Sequence, residues 1–314
     1  MKRALTILLV LACGICNART VIEPDATYLF AQKDGQDLYL DVYEPARGSA
    51  TQLDGKDKPT ILYVFGGGFK EGERDNALQQ RWFKMLTEQG YRVIANDYRL
   101  GLRDVKDAGV SPQFIKDMEN AVSMAVEDLF SATRFIIDNA GELGIDPSNL
   151  VVSGSSAGAI TALQAEWVIC NRGELARMLP ADFNYKGVIS FSGAVFSSEG
   201  AITYDREPCP MMLLHGTADS MVTYKQIWFF KYRFAGTDII SSVCQKKGYC
   251  HNTYRFLDNG HEISISMKRN FPEEMRFIEE NVIRGVRRSL DCTVSDPGIP
   301  VPAWARNDYK SLYK

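Results

Sequence analysis

Alternation of apolar and polar positions opens the chain. Tyr28 to Ala31 and Leu38 to Tyr43 alternate on either side of Lys33-Asp34-Gly35, which predicts an antiparallel hairpin. Thr60 to Phe65 is an unbroken apolar run, as in a strand buried on both faces, and it stops at Gly66-Gly67-Gly68. After Asp75, a candidate cap, Leu78, Trp82, Met85 and Leu86 recur at helical spacing until Gly90, and Tyr91 to Asn96 predicts another strand. A longer helical pattern from Asp117 carries Met118, Val122, Val126, Leu129, Ile136 and Ile137 and ends at Gly141 to Gly144 and Asp146-Pro147.

Beyond this the pattern predicts strands at Leu150 to Val152, Lys186 to Phe191, Met211 to His215 and Tyr254 to Leu257. Helices are expected after Ser156 to about Cys170, over Tyr224 to Phe234, and from Pro272 to about Arg288. Strands that alternate with helices imply an α/β fold, a mainly parallel twisted sheet covered on both faces. Chemistry in such sheets gathers in the loops beyond the carboxyl ends of the strands. The expected domain spans residues 19–290, with no large cap because the segment between Phe191 and Met211 is short. Asp291 to Lys314, with Pro297, Pro300 and Pro302, reads as an irregular surface tail.

Composition narrows the function classes. At 314 residues and 45% hydrophobic the chain can bury one large core. A formal charge of -3 leaves no basic excess for nucleic acid, which is set aside. Lys2 and Arg3, the apolar segment Ala4 to Ala12, and Cys16-Asn17-Ala18 predict a signal peptide over residues 1–18, too short to span a membrane. Export to the periplasm or the extracellular space follows, with a lipid anchor at Cys13 as the alternative. Of seven cysteines, five lie beyond this segment, an odd number. Cys244 and Cys250 flank a short polar loop and are the candidate disulfide, against a reading as two unpaired loop cysteines. A metal site there is not expected, since no second ligand pair stands at zinc-like spacing.

Leu150-Val151-Val152-Ser153-Gly154-Ser155-Ser156-Ala157-Gly158 breaks from a β-branched run into Gly-x-Ser-x-Gly and then into helix formers. Ser156 is therefore the candidate nucleophile, and it needs a base. His261 stands in a loop after the Tyr254 strand; His215 and His251 are the other histidines. The base needs a carboxylate to hold its tautomer. Asp219 lies beyond the Met211 strand, and Asp258 is the competing acid; Glu262 is expected to face solvent or cap the following helix. Backbone N–H groups of Gly67, Gly68 and Ala157 are the candidate oxyanion donors, the alternative being a simple glycine turn.

Phe65-Gly66-Gly67-Gly68-Phe69, Asn96-Asp97-Tyr98-Arg99-Leu100, Gly154 to Gly158, His215-Gly216-Thr217-Ala218-Asp219 and Gly260-His261 together resemble the α/β-hydrolase serine esterases and lipases. The resemblance is to carboxylesterases with a Gly-rich oxyanion motif, similar to secreted bacterial carbohydrate esterases, and covers about residues 28 to 288. Many relatives carry histidine before the three glycines, where this chain has Phe65. Asp97 and Arg99 resemble a structural element of the family.

The resemblance implies a secreted serine esterase that needs no cofactor and acts on a small-molecule or polysaccharide-borne ester. Acetyl and feruloyl esters of plant polysaccharides follow from fold and export by analogy. A serine peptidase on the same fold and a noncatalytic binding protein are the alternatives. Phe69, Trp82, Phe196 and Tyr224 are candidate pocket residues, with Trp82 preferred as core. No oligomeric state is read from the pattern.

Overall fold

The computed structural model describes residues 22–106 and 111–313. The expected signal peptide over residues 1–18, with Cys13, lies outside the described residues. Strands β1 (Ala26–Lys33) and β2 (Gln36–Tyr43) form the expected antiparallel hairpin, turned at Asp34 and Gly35 with φ of 50° and 74°. Two successive positive φ values match the twist of the flanking strands, which suits Asp-Gly. A small separate hairpin joins β3 (Gln52–Leu53) to β4 (Lys56–Asp57).

The apolar runs become β5 (Thr60–Val64), β6 (Val93–Asn96), β7 (Leu150–Ser155) and β8 (Gly187–Phe191). The chain leaves the sheet for β9 (Ala194–Ser197), returns as β10 (Met211–Gly216), leaves again as β11 (Gln226–Phe229) and β12 (Tyr232–Gly236), and re-enters as β13 (His251–Phe256) and β14 (Leu290–Val294). The resulting nine-stranded sheet has the order β1-β2-β6-β5-β7-β8-β10-β13-β14. Every pairing from β6 to β14 is parallel, and the hairpin adds the antiparallel edge. The central strands are buried along their full length, so both faces are covered.

Helices α1 (Ala77–Glu88), α2 (Pro112–Asp138), α3 (Ala140–Leu143), α4 (Ala157–Cys170), α5 (Thr237–Lys247) and α6 (Phe271–Phe277) complete the element order. Asn76, not Asp75, caps α1 by accepting from Leu78 N at 3.0 Å. Helix α2 begins five residues before Asp117, because Ser111 caps Phe114 N at 3.1 Å and Pro112 takes the first helical position. After α6 the chain makes a π turn over Ile278–Ile283 and turns away at Gly285, short of Arg288. Among the described residues no helix is long and apolar enough to cross a membrane.

Three expectations are corrected. The segment Tyr224 to Phe234 is not a helix: β12 pairs with β9 and with β11, making a three-stranded antiparallel sheet outside the main one. Its aromatic residues find partners in a strand 36 to 42 positions upstream, which outweighs their helical spacing. The tail after Asp291 is not wholly irregular, since β14 pairs in parallel with β13 as the ninth strand. The disulfide between Cys244 and Cys250 is not formed, and all five described cysteines are free thiols. Cys244 sits on the inward face of α5, where burial pushes its thiol up to about 12. Cys250 Sγ instead lies 3.5 Å from Arg288 O and accepts from Asn281 Nδ2 at 3.4 Å.

Candidate active site

Strand β7 delivers Ser156 at its carboxyl end with φ 52° and ψ -116°, a conformation costly for any residue with a side chain. Ser156 N donates to Phe191 O at 2.9 Å, and Ser156 O accepts the first turn of α4 from Ile160 N at 2.9 Å. Two glycines permit the turn. A Cβ on Gly154 would stand 2.2 Å from Gly158 O, and one on Gly158 would stand 2.0 Å from Val64 O. Only glycine lets β7, α4 and β5 meet this closely.

The structure brings Ser156, His261 and Asp219 into one line. His261 Nε2 lies 2.8 Å from Ser156 Oγ, and His261 Nδ1 lies 2.8 Å from Asp219 Oδ2. A carboxylate only accepts, so Nδ1 carries the hydrogen and Nε2 is left to accept from the serine hydroxyl. Asp219 Oδ1 accepts from Met221 N at 2.9 Å and Val222 N at 3.0 Å. Asp258 is exposed and makes no contact of this kind; its N–H donates to Thr217 Oγ1. The loops of the acid and the base interlock, since Ala218 N donates to Asn259 O at 2.9 Å and a Cβ on Gly216 would meet Gly260 O at 2.3 Å.

Two residues support the site in roles that the sequence did not reveal. His215 is fully buried, with Nε2 at 3.1 Å from Val222 O and 3.3 Å from Asp219 Oδ2, and Nδ1 at 3.0 Å from Thr237 Oγ1. Burial opposes ionisation of Asp219, but hydrogen bonds from His215 and His261 outweigh it and hold the carboxyl well below its usual range. Glu262 neither faces solvent nor caps the next helix: it is buried and folds back to accept from Gly260 N and from Asn259 Nδ2 at 2.7 Å, bracing the turn that presents His261. A chain segment can bury such a carboxylate when backbone N–H groups satisfy it.

Gly67 and Gly68, with φ of 129° and 64°, bend the loop after β5 back toward Ser156. A Cβ on Gly67 would stand 1.9 Å from Glu71 O, so the loop is closed to any other residue there. Phe65 stacks on Tyr98 with ring centroids 4.3 Å apart, while Tyr98 Oη donates to Phe65 O at 3.1 Å. Asp97 accepts from Tyr39 N and Arg74 Nη1, and Arg99 pairs with Asp128, which gives both the structural role expected of them. Ala157 opens α4, where its N–H has no acceptor within the helix.

Ser156 and Gly68 stand between two cavities. One, of about 220 Å³, is apolar and lined by Phe69, Phe114, Met118, Ile160 and Phe196. The other, of about 490 Å³, holds His261 and is walled by Asn76, Gln79, Trp304 and Asn307. Phe69 and Phe196 thus line a pocket as expected. Trp82 is core and donates from Nε1 to buried Glu274, and Tyr224 packs on His215. Trp304 and Asn307 come from the tail and are exposed, so they wall this cavity from the surface where the pattern places them.

Comparison with known proteins agrees with this architecture. The BD-FAE family model matches residues 40–195. The chain is 26% identical over 179 residues to Secreted lipase 1 of Botryotinia fuckeliana, covering 56% of this chain and 28% of that protein. It is 30% identical over 124 residues to fumonisin B1 esterase of Sphingopyxis macrogoltabida, covering 39% of this chain and 21% of that protein. The match therefore spans less than a third of either relative. Among solved structures, esterase 2 of Thermogutta terrifontis superposes with a TM-score of 0.53 at 21% identity, over 80% of this chain and 95% of that one. By its sheet and its serine elbow the chain has the α/β-hydrolase fold, and over the matched stretches it is similar to serine esterases and lipases.

Proposed function

We propose that the protein hydrolyses carboxylic esters through an acyl-enzyme on Ser156. The observation that carries this reading is the unbroken pair of 2.8 Å contacts from Ser156 Oγ through His261 to Asp219. His261 Nε2 takes the hydroxyl proton as Oγ attacks the ester carbonyl, and Asp219 stabilises the imidazolium. The N–H groups of Gly67, Gly68 and Ala157 receive the charge that develops on the carbonyl oxygen. His261 then gives its proton to the departing alcohol, and water deprotonated by the same nitrogen attacks the acyl carbon to release the acid and restore Ser156.

The two cavities divide the substrate. A leaving alcohol must meet His261 Nε2, and His261 belongs to the more polar of the two cavities, so the alcohol lies there and the acyl group in the apolar cavity. Amide side chains beside Trp304 suit a polyhydroxylated alcohol, which favours acetyl or aromatic acyl esters carried on polysaccharide. Export rests on the signal pattern of residues 1–18, and the naming of one relative as a secreted lipase accords with it.

The test is hydrolysis of p-nitrophenyl acetate and acetylated xylan by the purified protein and by Ser156→Ala. Wild-type turnover is expected to exceed that of the variant by about five to six orders of magnitude. Equal rates for the two proteins overturn the reading. Turnover of aminoacyl-proline amides above that of esters transfers the same residues to peptide chemistry.

A further inference from the structure

The hairpin β11–β12 carries the least protected apolar surface among the described residues. Phe230, in the two-residue turn Phe230-Lys231, is 86% exposed, and Trp228 and Ile227 of β11 are 56% and 47% exposed. An isolated exposed apolar residue needs no explanation, but three on one short hairpin beside a cavity mouth do. Phe229, Tyr232 and Ile227 of the same hairpin also line the apolar cavity next to Ser156. The exposed surface is thus continuous with the cavity assigned to the acyl group.

Charge points to the kind of surface that covers it. From Met221 to Gly236 the charged residues are Lys225, Lys231 and Arg233, with no Asp or Glu, although the whole chain is acidic at -3. Aromatic and aliphatic side chains at an apex, with a basic collar behind, fit an interface whose outside is anionic and whose inside is hydrocarbon. A polysaccharide is served less well. The Arg233 guanidinium lies 3.7 Å over the Trp228 ring and covers one of its faces, and Gln226 is the sole amide on the hairpin to meet sugar hydroxyls.

We propose that hairpin β11–β12 seats the protein on anionic lipid bilayers, with Trp228 and Phe230 entering the headgroup boundary and Lys225, Lys231 and Arg233 meeting the phosphates. The mouth of the apolar cavity then lies beside the lipid surface. The seating itself is independent of turnover and of the ester that Ser156 takes.

The test is co-sedimentation of the Ser156→Ala protein with vesicles of phosphatidylcholine alone and of phosphatidylcholine mixed with phosphatidylglycerol. Binding to the mixed vesicles is expected to be about tenfold tighter or more, and high salt should abolish the preference. On the same protein, Trp228→Ala with Phe230→Ala, and separately Lys231→Glu, should each weaken that binding by about tenfold. The same changes in the Ser156 protein should leave hydrolysis of soluble p-nitrophenyl acetate unchanged, which also shows that the variants fold. Absence of binding to both vesicles, or binding indifferent to the hairpin changes, overturns the proposal. Retention on insoluble xylan that Trp228→Ala removes, without vesicle binding, overturns it in favour of a carbohydrate platform. Vesicle binding without any ester hydrolysis by the Ser156 protein would leave the seating standing and sink the esterase reading alone.

Discussion

His215 and His261 reach the same oxygen of the buried Asp219 carboxylate, at 3.3 Å and 2.8 Å. Val222 O, which can only accept, lies 3.1 Å from His215 Nε2, so that nitrogen carries a hydrogen and shares it with Asp219 Oδ2. The other carboxylate oxygen is held by two backbone N–H groups. Asp219 is thereby fixed as an anion, aimed at His261.

His215→Leu removes that donor and His215→Gln keeps one. A hydrogen bond to a charged group is worth about 1.5–3 kcal/mol, so His215→Leu should lower kcat by one to two orders with KM little changed, and His215→Gln should recover most of it. The pH dependence has a definite sign. A carboxyl held below its usual 3.8 stabilises the fold above that value, and the contribution is lost as pH falls through the lower folded value. Without His215 the folded value rises, so acid inactivation should set in at higher pH. A His215→Leu protein with the wild-type kcat and acid limb would refute the role.

Glu274 presents the opposite case. It is fully buried with Trp82 Nε1 as donor to one oxygen, and burial pushes its carboxyl well above 4.5. A raised folded value means stability is full below 4.5 and declines as pH rises through the interval above it. Glu274→Gln cannot ionise. Denaturant unfolding across pH should show the variant gaining on the wild type from about 4.5 upward, and parallel curves would contradict the burial argument.

Gly158→Ala should break the elbow. Its Cβ would lie 2.0 Å from the Val64 carbonyl, a backbone atom that cannot move without shifting β5. A loss of about 3 kcal/mol or more in urea unfolding is expected, with activity falling alongside.

Ile160→Trp fills the apolar cavity of about 220 Å³ from the α4 side. If the acyl group lies there, kcat/KM for butyrate and longer esters should drop about tenfold or more while acetate is retained. An unchanged chain-length profile would move the acyl group elsewhere.

Local signals in this chain arise from sterics and periodicity that act over a few residues. Gly154, Ser156 and Gly158 announce the elbow because only small residues pass a strand so close to a helix, and unbroken apolar runs announce buried strands. The order serine, acid, histidine could likewise be read once each was seen to follow a strand. What it meant in space could not: His261 is 105 positions from Ser156 and 42 from Asp219, and only the parallel order of β7, β10 and β13 gathers them at one edge. His215 opens one of the motifs behind the resemblance, but its role has no local mark, since its partners come from the Asp219 loop and from Thr237 at the start of α5. Residues 224–234 show helical spacing, yet β9 offers β12 a ladder that periodicity never registers. Tail residues 303–307 likewise appear irregular in sequence and still wall the more polar cavity through Trp304 and Asn307. The sequence alone therefore determined the buried central strands, the elbow and the order of its chemistry, because neighbouring residues set these. Tertiary structure decided which histidine supports which carboxylate and which surfaces enclose the ester, because those depend on contacts between segments that only folding brings together.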